Sequence, residues 1–148
     1  MNVFGFCFSP RGRISRSRFW LGMLGVFCAL AVAFGFAFLT SFAYAAAPFI
    51  LFAFVSTYIL AIKRLHDRNK SGWWTLVFLW TPGVLDRISN KVAEDSAIWW
   101  VLVLAGAALS LWGLIELGFR RGTDGANDYG PDPLGKTDQA SPTEPAKA

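Results

Sequence analysis

Uncharged runs and charged breaks alternate along this chain, and their lengths dictate its organisation. From Phe19 to Ile62 there are 44 residues without one Asp, Glu, Lys or Arg. As a single helix that run would extend about 66 Å, roughly twice the hydrocarbon thickness of a bilayer. It therefore predicts two crossings, over 19–41 and 48–62, with a turn between them. Pro48 suits the first turn of the second helix, where its missing N–H is not needed. Ser71 to Leu85 is the next uncharged run, and at about 22 Å of helix it is short for a span. Lys70 and Arg87 can snorkel to lengthen it, and Trp73 and Trp74 suit an interfacial belt. Pro82-Gly83 is expected to kink or end it, and a re-entrant segment is the rival reading. Ser96 to Ile115 is a full-length span, expected to continue past Glu116 and so to cover 96–119. The fold class is all-α: a polytopic helical membrane bundle with four transmembrane helices.

Composition agrees with that pattern. Apolar residues make up 54% and charged residues 16%, with 14 Phe and 7 Trp in 148 residues. A soluble average is about 25% charged. A soluble domain of this size buries too little of its surface to hide so many rings. Cys7 and Cys28 stand apart from each other and from His66, so no disulfide or metal pattern is visible. His66 is the only histidine, which excludes a multi-histidine metal site, and no cofactor motif is present.

The net charge of +4 is concentrated beside the spans. Arg11, Arg13, Arg16 and Arg18 precede the first, Lys63, Arg64, Arg68 and Lys70 follow the second, and Arg120 and Arg121 follow the fourth. The 41–47 turn has none, and the 86–95 loop has Arg87 and Lys91 against three acids. Lys and Arg mark the cytoplasmic side, so both termini are expected in the cytoplasm. Ala43-Tyr44-Ala45 has the form of a signal-peptidase site, but the preceding apolar run is longer than a cleaved signal carries. Four parts result: an interfacial segment at 1–18 in which Phe4, Phe6 and Phe8 dip into the interface, a membrane domain at 19–119, a turn-rich motif at 120–133, and a disordered tail at 134–148.

Candidate chemistry lies on the cytoplasmic side. Asp67 is the one acid among the eight basic residues of the N-terminal segment and the 63–70 loop. Arg64, and one of Arg13, Arg16 or Arg18, are its expected partners. Arg13, Arg16, Arg18, Trp20, Arg64, His66, Asp67, Arg68, Trp73 and Trp74 form a basic and aromatic face suited to anionic lipid head groups or a partner protein. Arg-Ser alternation directly against a span argues for an interfacial segment rather than nucleic-acid binding. Glu116 is the one ionisable group placed within a span, and Arg120 four residues on is its expected structural partner. A small transporter or channel subunit using Glu116 is the alternative. A membrane-embedded lipid enzyme with His66 and Asp67 as acid–base pair ranks below it, and no catalytic residue is assigned. Small residues four apart, at Ala29, Ala33 and Ala37 and at Gly106 and Ser110, serve either the bundle or a homo-oligomer. The 122–133 stretch lacks the ligand spacing of a calcium loop and reads as successive turns whose carboxylates meet the cytoplasmic arginines.

Three of these stretches together resemble the small bacterial membrane proteins grouped as domain of unknown function 805. The first is Gly12-Arg13-Ile14-Ser15-Arg16-Ser17-Arg18-Phe19-Trp20. The second is Arg64 to Asp67 followed by Ser71 to Trp74, and the third holds Gly122, Gly125, Asn127, Tyr129, Gly130, Asp132 and Pro133. The resemblance covers about residues 4–133. It implies a multi-pass protein of the bacterial inner membrane and a bundle of several helices, and it implies no activity.

Overall fold

A computed structural model describes residues 9–40 and 43–135. Phe4, Phe6 and Phe8, and the expected tail from 136 onward, lie outside the described residues. Helix α1 (Arg16–Thr40) is followed by a 3₁₀ turn (Ala43–Ala46) and helix α2 (Ala47–Asp67). A π-helical turn (Leu76–Trp80) leads straight into α3 (Thr81–Ser89), and α4 (Ala97–Leu114) runs into a second π-helical turn (Ile115–Phe119). Among the described residues the only β pairing is one isolated bridge between Asn127 and Gly130.

Three helices, Arg16–Leu39, Ala47–Asp67 and Ala97–Phe119, are long and apolar enough to cross a membrane. The helical stretch 74–89 is shorter, about 24 Å at 1.5 Å per residue. Pro82-Gly83 does not end it. The π turn just before Pro82 widens the backbone where the ring would otherwise crowd the preceding turn, and the amide and hydroxyl of Thr81 both donate to the carbonyl of Leu76. Ser96 caps α4 by accepting from the Trp99 amide at 3.1 Å.

The expected second span stopped at Ile62, and this is corrected: α2 continues through Lys63, Arg64, Leu65 and His66 to Asp67. Its end is a Schellman closure. Asn69 takes a left-handed φ of 55°, its amide donates to His66 and the Lys70 amide donates to Leu65. The 63–70 segment is therefore mostly a helix end rather than a surface loop.

Chain direction alternates, α1 packing on α2 and α3 on α4, with the terminal π turn against α1 and α2. Helix α2 is the most enclosed, while α1 and α4 present large apolar side chains such as Phe27, Phe34, Leu104 and Leu111 outward. In hydrocarbon such faces are expected, and tight helix contact depends on small residues. Ala33 is buried with Ala29 and Ala37 beside it on one face, and Gly106 packs under Pro82 and Leu85. The buried core of Ile14, Phe19, Leu60, Leu65, Phe78 and Leu117 sits at the end of the bundle where α2 and α4 finish.

At Gly113 a side-chain carbon would stand 3.0 Å from Cβ of Phe78, whereas Gly25 faces open space. Gly113→Leu is expected to overpack the contact between the first π turn and α4 by about 1–3 kcal/mol and lower the thermal midpoint in detergent. Gly25→Ala is expected to leave that midpoint unchanged or raised.

Candidate functional site

Two helices, α2 and α4, end on the same face, and each leaves backbone carbonyls without intrahelical partners. The side chains that satisfy them come from distant parts of the chain. Arg64, on the last turn of α2 and fully buried, donates from Nε to the Leu117 carbonyl at 2.8 Å. Its Nη2 donates to the Arg120 carbonyl, and Nη1 reaches the Ile14 carbonyl at 3.5 Å. Trp20 donates from Nε1 to Gly118 at 3.0 Å, and Arg16 donates to Phe119 at 3.2 Å. The terminal π turn is thus capped by two arginines and an indole, and the cations sit where the helix dipole is negative. The opposite exchange caps α2. Its Asp67 carbonyl accepts from the amide and the hydroxyl of Thr123 at 2.8 and 3.0 Å. Its His66 carbonyl accepts from the Asn127 side-chain amide at 2.9 Å.

The Asp67 carboxylate stands between two arginines. Oδ1 pairs with Arg13 at 3.1 Å and Oδ2 with Arg64. Arg13 also donates to the carbonyls of Thr123, Gly125 and Gly130 at 2.6, 2.7 and 3.1 Å. The turn-rich segment therefore meets Arg13 through three backbone carbonyls and the Thr123 hydroxyl. Gly125 and Gly130 hold φ values of 76° and 132°, which turn those carbonyls inward and favour glycine. Gly122 lies so close to Asp67 that a side-chain carbon there would overlap the carboxylate. Tyr129 stacks on His66 with ring centroids 3.9 Å apart and planes at 7°.

A second carboxylate lies alongside. Glu116 is fully buried and pairs with Arg120 at 3.1 Å, as its spacing suggests, and also with Arg68 at 3.0 Å and Lys70 at 2.5 Å. Burial lowers the pKa of Arg68 and the Glu116 charge opposes that shift. Lys70 lies 5.3 Å from the centre of the Trp74 ring, which itself packs on Phe78 and Trp112.

The residues expected to form one binding face divide into two groups. Arg13, Arg64 and Asp67, expected to bind lipid or a partner, are buried and bonded to one another and to the backbone, where they tie the chain together internally. Arg16, Arg18, Trp20 and Trp73 are exposed, and Arg68 and Trp74 are half-buried. His66 and Asp67, though adjacent, face different partners: His66 faces Tyr129 and Asp67 faces the arginines. Asp132 accepts from the amides of Gly125 and Leu134 and holds the final turn, next to Pro133. Thr123 carries more of the arrangement than the sequence reading gave it, because its role lies in backbone bonding that residue type does not signal.

Residues of all three sequence motifs thus meet in one knot, and the match to known proteins spans nearly all of them. Residues 7–131 fit the profile of the family described as protein of unknown function (DUF805). The chain belongs to that family. It is 30% identical over 133 residues to the uncharacterized protein YiiR of Escherichia coli K12, covering 89% of this chain and 90% of that one. The same likeness holds for YiiR of Escherichia coli O157:H7. No solved structure matches. In this member of the family Arg13, Arg64, His66, Asp67, Gly125, Asn127 and Gly130, drawn from all three motifs, are joined by bonds among themselves.

Asp67→Asn keeps the shape and leaves two buried arginines facing a neutral amide, at an expected cost of about 3–5 kcal/mol. Gly122→Ala is expected to produce the same loosening by displacing the carboxylate. Cysteines placed at Ser15 and Asp124 should crosslink readily in the parent chain and poorly in both variants. Crosslinking that is unchanged in both contradicts the tie.

Proposed function

We propose that this protein is a non-catalytic, four-pass component of the bacterial inner membrane with both termini in the cytoplasm, whose cytoplasmic face binds anionic lipid head groups. The observation that carries this reading is the division of the cations. Arg13 and Arg64 are committed to the interior. Arg11, Arg18 and Arg121 are exposed on the same side of the molecule, by the alternating chain direction, and Trp20 and Trp73 stand among them. Exposed cations beside interfacial indoles suit a phosphate-rich surface, each contributing about 1 kcal/mol there. Ten basic residues on this side against two on the other, with the 74–89 stretch as the third crossing, support the same orientation. A partner protein docking on that face is the nearest rival. For a transporter using Glu116, the three cations around that carboxylate are the adverse observation, since three ion pairs hold it in one place.

Reporter fusions after Ser15, at Ser89 and after Lys136 are expected to read cytoplasm, periplasm and cytoplasm. A periplasmic signal after Lys136 contradicts four crossings. For lipid binding, native mass spectrometry of the detergent-solubilised protein should show phosphatidylglycerol adducts in excess over phosphatidylcholine. The excess should fall as salt rises and in the triple variant Arg11→Gln, Arg18→Gln, Arg121→Gln. Equal adducts of both lipids contradict the head-group reading.

A further inference from the structure

Beneath the knot lies a cavity of about 320 Å³ with almost wholly apolar walls, reaching all four helices. The two π-helical turns face each other across it, contributing Phe78 and Leu79 from one side and Leu117 and Gly118 from the other. Segments of π-helix recur at functional sites because the widened turn opens space beside the backbone. Even a dry apolar cavity of about 150 Å³ takes up a benzene-sized molecule, so this one has room for a hydrocarbon segment.

The charge next to the cavity is unbalanced. Arg68, Lys70 and Arg120 share the single carboxylate of Glu116, leaving two positive charges in surplus. Glu116 is wholly enclosed, whereas the Lys70 and Arg120 side chains are 28% and 56% exposed and open to an outside anion. Apolar contact continues from this cluster into the cavity. Lys70 lies over Trp74, Trp74 packs on Phe78 with centroids 5.7 Å apart, and Phe78 lines the wall. An anion attached to a hydrocarbon chain matches both features at once.

We propose that this end of the bundle holds one anionic phospholipid, its phosphate on Lys70 and Arg120 and part of an acyl chain between the two π turns. The site rests on the lipid-binding reading above and narrows it to a single molecule. One phosphodiester leaves the cluster still positive, so a lipid with a further cationic head group is disfavoured. Glu116 acts as a positioning residue, holding the three cations together.

The test uses the full chain in detergent, titrated with dioleoyl phosphatidylglycerol or dioleoyl phosphatidylcholine and read by native mass spectrometry under activation that strips loosely held lipid. One phosphatidylglycerol is expected to survive on the parent protein and no phosphatidylcholine. Lys70→Gln, or Arg120→Gln as a second removal of charge, should weaken retention about tenfold. Ser110→Phe, which fills the cavity from its edge, should do the same with the charges untouched. Thermal melting establishes that each variant is folded. The triple variant Arg11→Gln, Arg18→Gln, Arg121→Gln should keep the retained lipid while losing the looser excess. No retained lipid, equal retention of phosphatidylcholine, or indifference to either the charge variants or Ser110→Phe overturns the site. Loss in the triple variant alone also overturns it and leaves the broader head-group reading standing.

Discussion

Two helices end at one border of this bundle, and the constraint on everything around them is that their last carbonyls must find donors. Water is scarce beside hydrocarbon, and an unsatisfied carbonyl there costs several kcal/mol. Arg64 answers this for the last helix by donating to the carbonyls of Leu117 and Arg120. A fully buried guanidinium needs a counter-charge, and Asp67 supplies it one turn further along the same helix. Asp67 in turn holds Arg13, and Arg13 gathers the carbonyls of the turn-rich segment. Each bond in this series supplies the reason for the next.

The exchange is reciprocal. Helix α2 lends Arg64 to the end of α4, and the segment after α4 lends Thr123 and Asn127 to the end of α2. Neither helix end is satisfied by its own neighbours alone. The two carboxylates then differ in consequence. Asp67 is matched by two arginines that also serve the backbone, so it closes a structural tie. Glu116 gathers three cations, Arg68, Lys70 and Arg120, so its cluster keeps a net positive charge.

Much of this was legible from charge spacing. Uncharged runs located the long helices, and Asp67 alone among eight basic residues pointed to Arg64 and an N-terminal arginine as partners. The error at the end of α2 came from taking Lys63 and Arg64 as a loop signal, although a cation in a last helical turn is well placed against the dipole. The left-handed Asn69 was the local stop signal. Partners brought from far along the chain were not legible. Arg68 and Lys70 reach Glu116 across more than 40 residues, and the carbonyls that receive Arg13 belong to residues of no special type. The π turns were hidden too, because widening of a helix arises from packing and from Pro82 rather than from periodicity.

The Arg13–Asp67–Arg64 series holds the turn-rich segment on the helix ends. Amide hydrogen exchange of the full chain in detergent tests it most directly, with Arg13→Gln compared with the parent. The Thr123 amide donates to Asp67, and the Asn127 and Gly130 amides close the small bridge that Arg13 supports. Slow exchange is expected at all three in the parent protein, with a loss of protection together in Arg13→Gln and the middle of α4 unchanged. Protection at Thr123, Asn127 and Gly130 that survives Arg13→Gln would contradict it.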